Sequence, residues 1–150
     1  MVNGEERQNG LRGCVVVPAY HEAGRIGVVV SGIKRWIGDV IVVDDGSGDA
    51  TAAEAEAAGA IVIRHARNMG KGTALETGFR RARESGHDYV ITMDGDGQHD
   101  PADVPAFVRA YRDGGASVVV GSRMGDVKRM PLVRLLTNRF MSWLLSRKMG

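Results

Sequence analysis

The chain has a single cysteine, Cys14, among its 150 residues. With no second thiol there is no disulfide framework and no cysteine-based zinc site, and the setting of Cys14 in "GCVVVP" reads as a small buried strand residue. Aromatic residues make up 5% of the chain, too few for a base-stacking nucleic-acid platform. No apolar run approaches the roughly 20 residues that span a bilayer. The N-terminal "MVNGEERQNGLRG" lacks the apolar stretch of a signal peptide, so a cytoplasmic protein is expected, with residues 1–10 disordered. The formal charge of +2 excludes nothing by its sum. Its distribution is more telling.

What the chain does have is alternation. Short apolar runs at Leu11 to Val17, Val40 to Val43, Ala60 to Ile63, Tyr89 to Met93 and Ser117 to Val120 read as strands buried on both faces. Between them, Arg25 to Ile37, Ala50 to Ala58, Thr73 to Glu84 and Ala102 to Arg112 suit helices, the second with Asp49 or Thr51 near its N-cap. The pattern predicts a single α/β domain over 1–150, an open and mostly parallel sheet flanked by helices. Such sheets bind ligands beyond the carboxyl ends of their strands. Four loops lie there: "PAYHEAG", "DDGSGDAT", "RHARNMGKGT" and "DGDGQHDP".

The last of these is the most acidic. Asp94 and Asp96 alternate with glycines, so both carboxylates have room to converge on one ion, and Gln98 adds a neutral oxygen. Hard oxygen ligands favour magnesium or manganese, whose shell is then completed by substrate phosphate and water. The competing reading is an Asp/Gly turn in which Asp100 caps the helix starting near Pro101; both can hold at once. An EF-hand fails because its sixth and twelfth positions would be His99 and Pro105. A phosphatase with Asp94 as nucleophile and Asp96 as acid remains a weaker alternative. "NMGKGTA" is not a Walker loop, since His65 holds the first glycine position and Gly72 follows Lys71. Lys71 could reach a phosphate or be a solvated turn lysine. No G-x-G-x-x-G follows the first strand, which disfavours a dinucleotide site. Of Asp44 and Asp45, one suffices to accept hydrogen bonds from a ribose or base while the other holds the turn.

In combination and in this order, "VVVPAYHE", "IVVDDGSGD", "NMGKGTALETGF", "ITMDGDGQHDP" and "VVVGSRM" resemble the family 2 glycosyltransferases, closest to the branch containing dolichol-phosphate mannose and glucose synthases. The resemblance runs from about Cys14 to the end. It implies the GT-A fold, a UDP- or GDP-sugar donor, a Mg2+ or Mn2+ cofactor, and transfer of a hexose to polyprenyl phosphate with inversion. It further implies that Pro18, Tyr20, Glu22, Val43 and Asp45 line the nucleoside pocket. Asp94, Gly95 and Asp96 look like the D-x-D element, with Asp96 and Gln98 the best metal ligands and Asp94 near the ribose or metal. Arg123 and Arg134 look like arginines that receive phosphate, Arg134 that of the lipid. His21 stands where the family often has Asn.

Beyond Gly121, seven basic residues from Arg123 to Lys148 face one acid, Asp126, so the rest of the chain is net acidic. A helix over 131–149 would gather Leu132, Val133, Leu136, Phe140, Trp143 and Leu144 on one side. Such a basic amphipathic helix suits an anionic membrane surface at its cytoplasmic face, or alternatively packs on more of a larger domain or self-associates. The resemblance also implies further strands after "SRKMG", hence a C-terminally truncated domain. A noncatalytic nucleotide-sugar-binding fragment is therefore the second reading. No nucleic-acid partner is expected.

Overall fold

The computed structural model describes residues 10–114 and 118–121. The chain divides into two compact units, Met1–Gly115 and Ala116–Gly150, and the sheet lies in the first. Four strands form it: β1 (Gly13–Ala19), β2 (Val40–Asp44), β3 (Ile61–Arg64) and β4 (Tyr89–Thr92). Their order is β3-β2-β1-β4, and every pair is parallel. The helices are α1 (Ile26–Ile33), α2 (Thr51–Ala57), α3 (Lys71–Glu84) and α4 (Val104–Gly114), the last entered through a 3-10 turn at Pro101–Asp103. This is the GT-A architecture, an open parallel sheet flanked by helices.

The two-residue period of a strand sends neighbouring side chains to opposite faces, and β1 and β2 use both. Val15, Val17, Val40 and Val42 face one core with Ile26, Val30 and Ile33 of α1, Ala55 of α2 and Val104 of α4. Cys14, Val16, Ile41 and Val43 face the other, under Ala74 and Ala82 of α3. All of these strand residues are essentially inaccessible. Burial pushes the Cys14 thiol up to about 12, with Asp39 adding to the effect, so it stays protonated and packs as a small apolar group. Helix α3 crosses close to β1, because a Cβ at Gly78 would sit 2.3 Å from Val16 Cγ1.

Two expected elements differ. Helix α1 ends at Ile33, and Trp36 and Ile37 continue as a turn whose amides both bond to the Ile33 carbonyl, which carries Ile37 back into the core. Of the expected fifth strand, Ser117 lies outside the described residues and Val118 to Val120 form no strand. Val118 and Val120 are 76% and 81% exposed. A β-branched run becomes a strand only where a packed face and a pairing edge receive it. The expected basic helix over 131–149 and the expected disorder of 1–10 fall outside the described residues, Gly10 excepted. No helix among the described residues is long and apolar enough to cross a membrane.

The Gly78 contact gives a direct check of this packing. Gly78→Ala should destabilise the fold by about 1–3 kcal/mol, the usual cost of overpacking a close contact. Urea unfolding measures it, and an unchanged midpoint would mean that α3 does not lie this close to β1.

Candidate functional site

The chain runs β1, β2, β3 to one side and then returns to place β4 on the other side of β1. That reversal leaves a crevice at the carboxyl ends of β1 and β4, the place where open parallel sheets bind ligands. A cleft of about 390 Å³ opens there. Its walls come from all four post-strand loops: Pro18 to Tyr20 and Glu22 after β1, Asp45 after β2, Asn68, Gly70 and Lys71 after β3, and Asp94 to Asp96 after β4.

The β1 loop is held amide by amide. His21 N–H donates to Ser47 Oγ at 3.0 Å, Glu22 N–H to Thr51 Oγ1 at 2.9 Å, and Gly24 N–H to Glu54 Oε2 at 2.7 Å. Asp49 is the organiser of this contact rather than a helix cap. Its Oδ1 accepts from Thr51 N–H, its Oδ2 lies 3.4 Å from Ala23 N, and the cap position itself falls on Ala50. The hydrogen bond from Thr51 holds the Asp49 carboxyl below its usual value. Bending the chain to this track puts His21 at φ 56°, the one positive-φ residue other than glycine among the described residues. Asn, Asp and His tolerate that left-handed region better than other residues. His21 in place of Asn is therefore a conformational equivalent.

The turn leaves Tyr20 46% exposed in the cleft with its ring edge-on to His21, centroids 4.3 Å apart. Glu22 turns its carboxylate to Arg25, Oε2 to Nη2 2.8 Å. That oxygen is buried and off-line for a hydrogen bond, so charge pairing answers it without saturating it.

Both aspartates after β2 are buried, and the structure separates their work. Asp44 receives Arg64 Nε at 3.0 Å and Ser47 N–H at 3.0 Å, which fixes the turn. Asp45 lines the cleft and organises the next loop: it accepts from Met69 N–H at 2.9 Å and Gly70 N–H at 2.7 Å, and pairs with His65 Nδ1 at 2.7 Å. His65 Nε2 lies 3.0 Å from Thr77 Oγ1 on α3, so the ring is pinned at both ends. Burial pushes the Asp45 carboxyl up, but His65 and the two amides outweigh it and hold the group below its ordinary 3.8. Gly46 cannot be replaced simply, since it has φ +78° and a Cβ there would lie 2.4 Å from the Arg67 carbonyl carbon.

After β4 the three acids part company. Asp100 Oδ1 accepts from Ala102 N–H at 2.9 Å and starts the 3-10 turn. Asp94 and Asp96 flank the buried Gly95, whose Cβ position lies 3.3 Å from Ile26 Cδ1 and 3.4 Å from Glu22 Cγ, so backbone rests against the β1 loop. Asp94 Oδ1 is 2.6 Å from Lys71 Nζ, Asp94 N–H donates to His99 Nδ1, and Asp96 Oδ1 accepts from Gln98 N–H at 2.9 Å. Among the described residues no group of three or more His, Cys, Asp or Glu side chains is disposed to hold a metal ion. Two hard carboxylates in a cleft do fit a Mg2+ or Mn2+ ion that takes few protein ligands and fills its shell with phosphate and water.

Of the residues expected at the site, Pro18, Tyr20, Glu22, Asp45, Asp94, Gly95 and Asp96 come together on the cleft. Gln98 sits on the exposed side of the same turn. The Val43 side chain is not brought in: it points along the α3 face of the sheet and is fully buried there. Arg123 and Arg134 lie outside the described residues. Asn68, Gly70 and the Lys71 contact were missed as a set, although "NMGKG" between a strand and a helix was the signal that could have found them.

The Asp45 clamp predicts an acid limb. Because its folded value is depressed, the ionised group stabilises the fold fully above its ordinary 3.8, and that contribution is lost as pH falls through the lower folded value. Asp45→Asn should lower stability near neutrality and flatten the acid limb of the urea midpoint against pH. Parallel limbs in the two proteins would remove Asp45 from this role.

Sequence comparison agrees with this arrangement. The family model for glycosyl transferase family 2 matches residues 14–147. The chain is 33% identical over 151 aligned positions to the UDP-N-acetylglucosamine–dolichyl-phosphate N-acetylglucosaminyltransferase of Methanococcus voltae, covering 87% of this chain and 60% of that enzyme. It is 31% identical over 146 positions to the undecaprenyl-phosphate mannosyltransferase of Micrococcus luteus, covering 93% and 55%. Among solved structures it is similar to glucosyl-3-phosphoglycerate synthase from Mycobacterium tuberculosis, in complex with Mn2+, UDP-glucose and phosphoglyceric acid, with TM-score 0.61, 31% identity and coverage of 73% and 42%. The chain thus spans about half the length of the relatives it matches. With the parallel sheet, the four-loop cleft and a match over most of its length, the chain belongs to glycosyl transferase family 2.

Proposed function

We propose that the cleft binds a nucleotide-sugar donor, UDP- or GDP-linked, together with Mg2+ or Mn2+, and that the protein transfers a hexose from it to polyprenyl phosphate. The observation that carries this reading is the convergence of Tyr20, Glu22 and Asp45 with Asp94 and Asp96 on one cleft at the sheet's switch point. The names of the dolichyl- and undecaprenyl-phosphate relatives support the acceptor class, and the solved relative with Mn2+ and UDP-glucose supports the donor class.

In this reading the nucleoside lies against the Tyr20 side, where an exposed ring offers a face and Glu22 and Asp45 offer acceptors. The sugar diphosphate lies toward Asp94 and Asp96. A bound divalent ion would be held by Asp96 with Gln98 and by Asp94, and would spread the charge of the departing diphosphate. Arg123 takes up phosphate of the donor and Arg134 that of the acceptor. A phosphate monoester is already ionised near neutral pH, so the protein's task is to hold its oxygen behind the anomeric carbon, and inversion follows from attack on the opposite face. The basic helix over 131–149 would bring the lipid phosphate in at the cytoplasmic face of a membrane.

Calorimetric titration with UDP and with GDP, each with and without Mn2+, tests the donor site. At least one nucleotide should bind more tightly with the metal, and Asp96→Ala should abolish that metal-dependent part. No binding of either nucleotide under any condition overturns the reading. Transfer of labelled sugar to a short polyprenyl phosphate, assayed with this chain and with a C-terminally extended one, distinguishes an enzyme from a nucleotide-sugar-binding module.

A further inference from the structure

The cleft already contains a cation of its own. Lys71 is the first residue of α3, and its Nζ lies 2.6 Å from Asp94 Oδ1, with both groups on the cleft wall. An ammonium is a compact point charge with three donors, and it occupies an oxygen that a divalent ion at the D-x-D turn would also seek. Two cations at contact distance from one carboxylate oxygen repel each other strongly. Asp96, by contrast, has an amide on its Oδ1, and that contact does not compete with a cation through charge. The Lys71 and Asp94 side chains are 61% and 35% exposed, so water screens the pair and it exchanges readily.

We infer that Lys71 is the resident counter-ion of Asp94: it keeps the bare divalent cation out of the cleft and releases the carboxylate when a nucleoside diphosphate offers the ammonium another anion. This inference rests on the donor-site reading. Its consequence is order. Cation and nucleotide load together, because the negative charge that draws Lys71 off Asp94 arrives with the diphosphate. Linkage makes the effect reciprocal, so the factor by which nucleotide tightens the cation equals the factor by which the cation tightens nucleotide. Lys71 acts here as a positioning and selectivity residue, and its signature is in cation binding without any turnover.

The test is Mn2+ binding by calorimetry, alone and in the presence of saturating UDP or GDP, on the wild type, Lys71→Met and Lys71→Arg. Lys71→Met should bind Mn2+ alone about threefold or more tightly than the wild type, as expected for loss of a screened competing charge. The tightening that nucleotide gives to Mn2+ should shrink in the same variant. Lys71→Arg keeps the charge and should follow the wild type, and added salt should narrow the gap between wild type and Lys71→Met. Equal or weaker Mn2+ binding by Lys71→Met overturns the inference, as does a Lys71→Arg protein that behaves like Lys71→Met. Failure of the underlying reading looks different: then neither nucleotide nor nucleotide-linked Mn2+ binds to any of the three proteins.

Discussion

A carboxylate removed from water must have its charge answered, and the groups that answer Asp45 are the ones that shape the cleft. Its side chain is 3% exposed, and its oxygens take hydrogen bonds from the Met69 and Gly70 amides and from His65. Its own N–H donates to the Ala19 carbonyl at the end of β1. One residue therefore ties together the ends of three strands. Were the loop between β3 and α3 to drift, it would strand a buried charge, an outcome far more costly than the loss of a single neutral hydrogen bond. Loop position here is set by electrostatics more than by apolar packing.

The opposite wall is built differently. The Tyr20 to Gly24 segment owes its path to neutral and charged acceptors of the β2–α2 segment, each meeting one backbone amide in turn. Such a loop needs no secondary structure of its own to be ordered, because its otherwise unmet donors are accounted for. The two mechanisms together present an aromatic face and acidic acceptors on one side of the cleft and a pair of carboxylates on the other, with Gly95 narrow enough to let the walls meet.

Much of this was legible in the residues. The β-branched runs located all four strands, and the rule that parallel sheets bind at their carboxyl ends selected the right loops. Asp100 as a cap and Asp94 with Asp96 as cleft residues were both readable from an Asp/Gly spacing followed by proline. The period of a strand also explains why Val43 could not be placed from sequence: adjacent to two aspartates that reach the cleft, it alternates onto the α3 face. Long-range pairings were invisible for the same reason that they matter. Lys71 meets Asp94 across 23 positions and Asp45 meets Gly70 across 25, and nothing local in "NMGKG" names its partner. Val118 to Val120 shows the converse, a strand-like composition that forms no strand.

The amide-by-amide fastening of the β1 loop has an evolutionary consequence. Ser47, Thr51 and Glu54 accept from consecutive turns of that loop while Tyr20 and Glu22 carry its cleft-facing groups. The two segments therefore form one inherited unit: a change of side chain at the start of α2 alters the shape of the wall that a ligand meets, and descendants that vary one segment are constrained to vary the other in step.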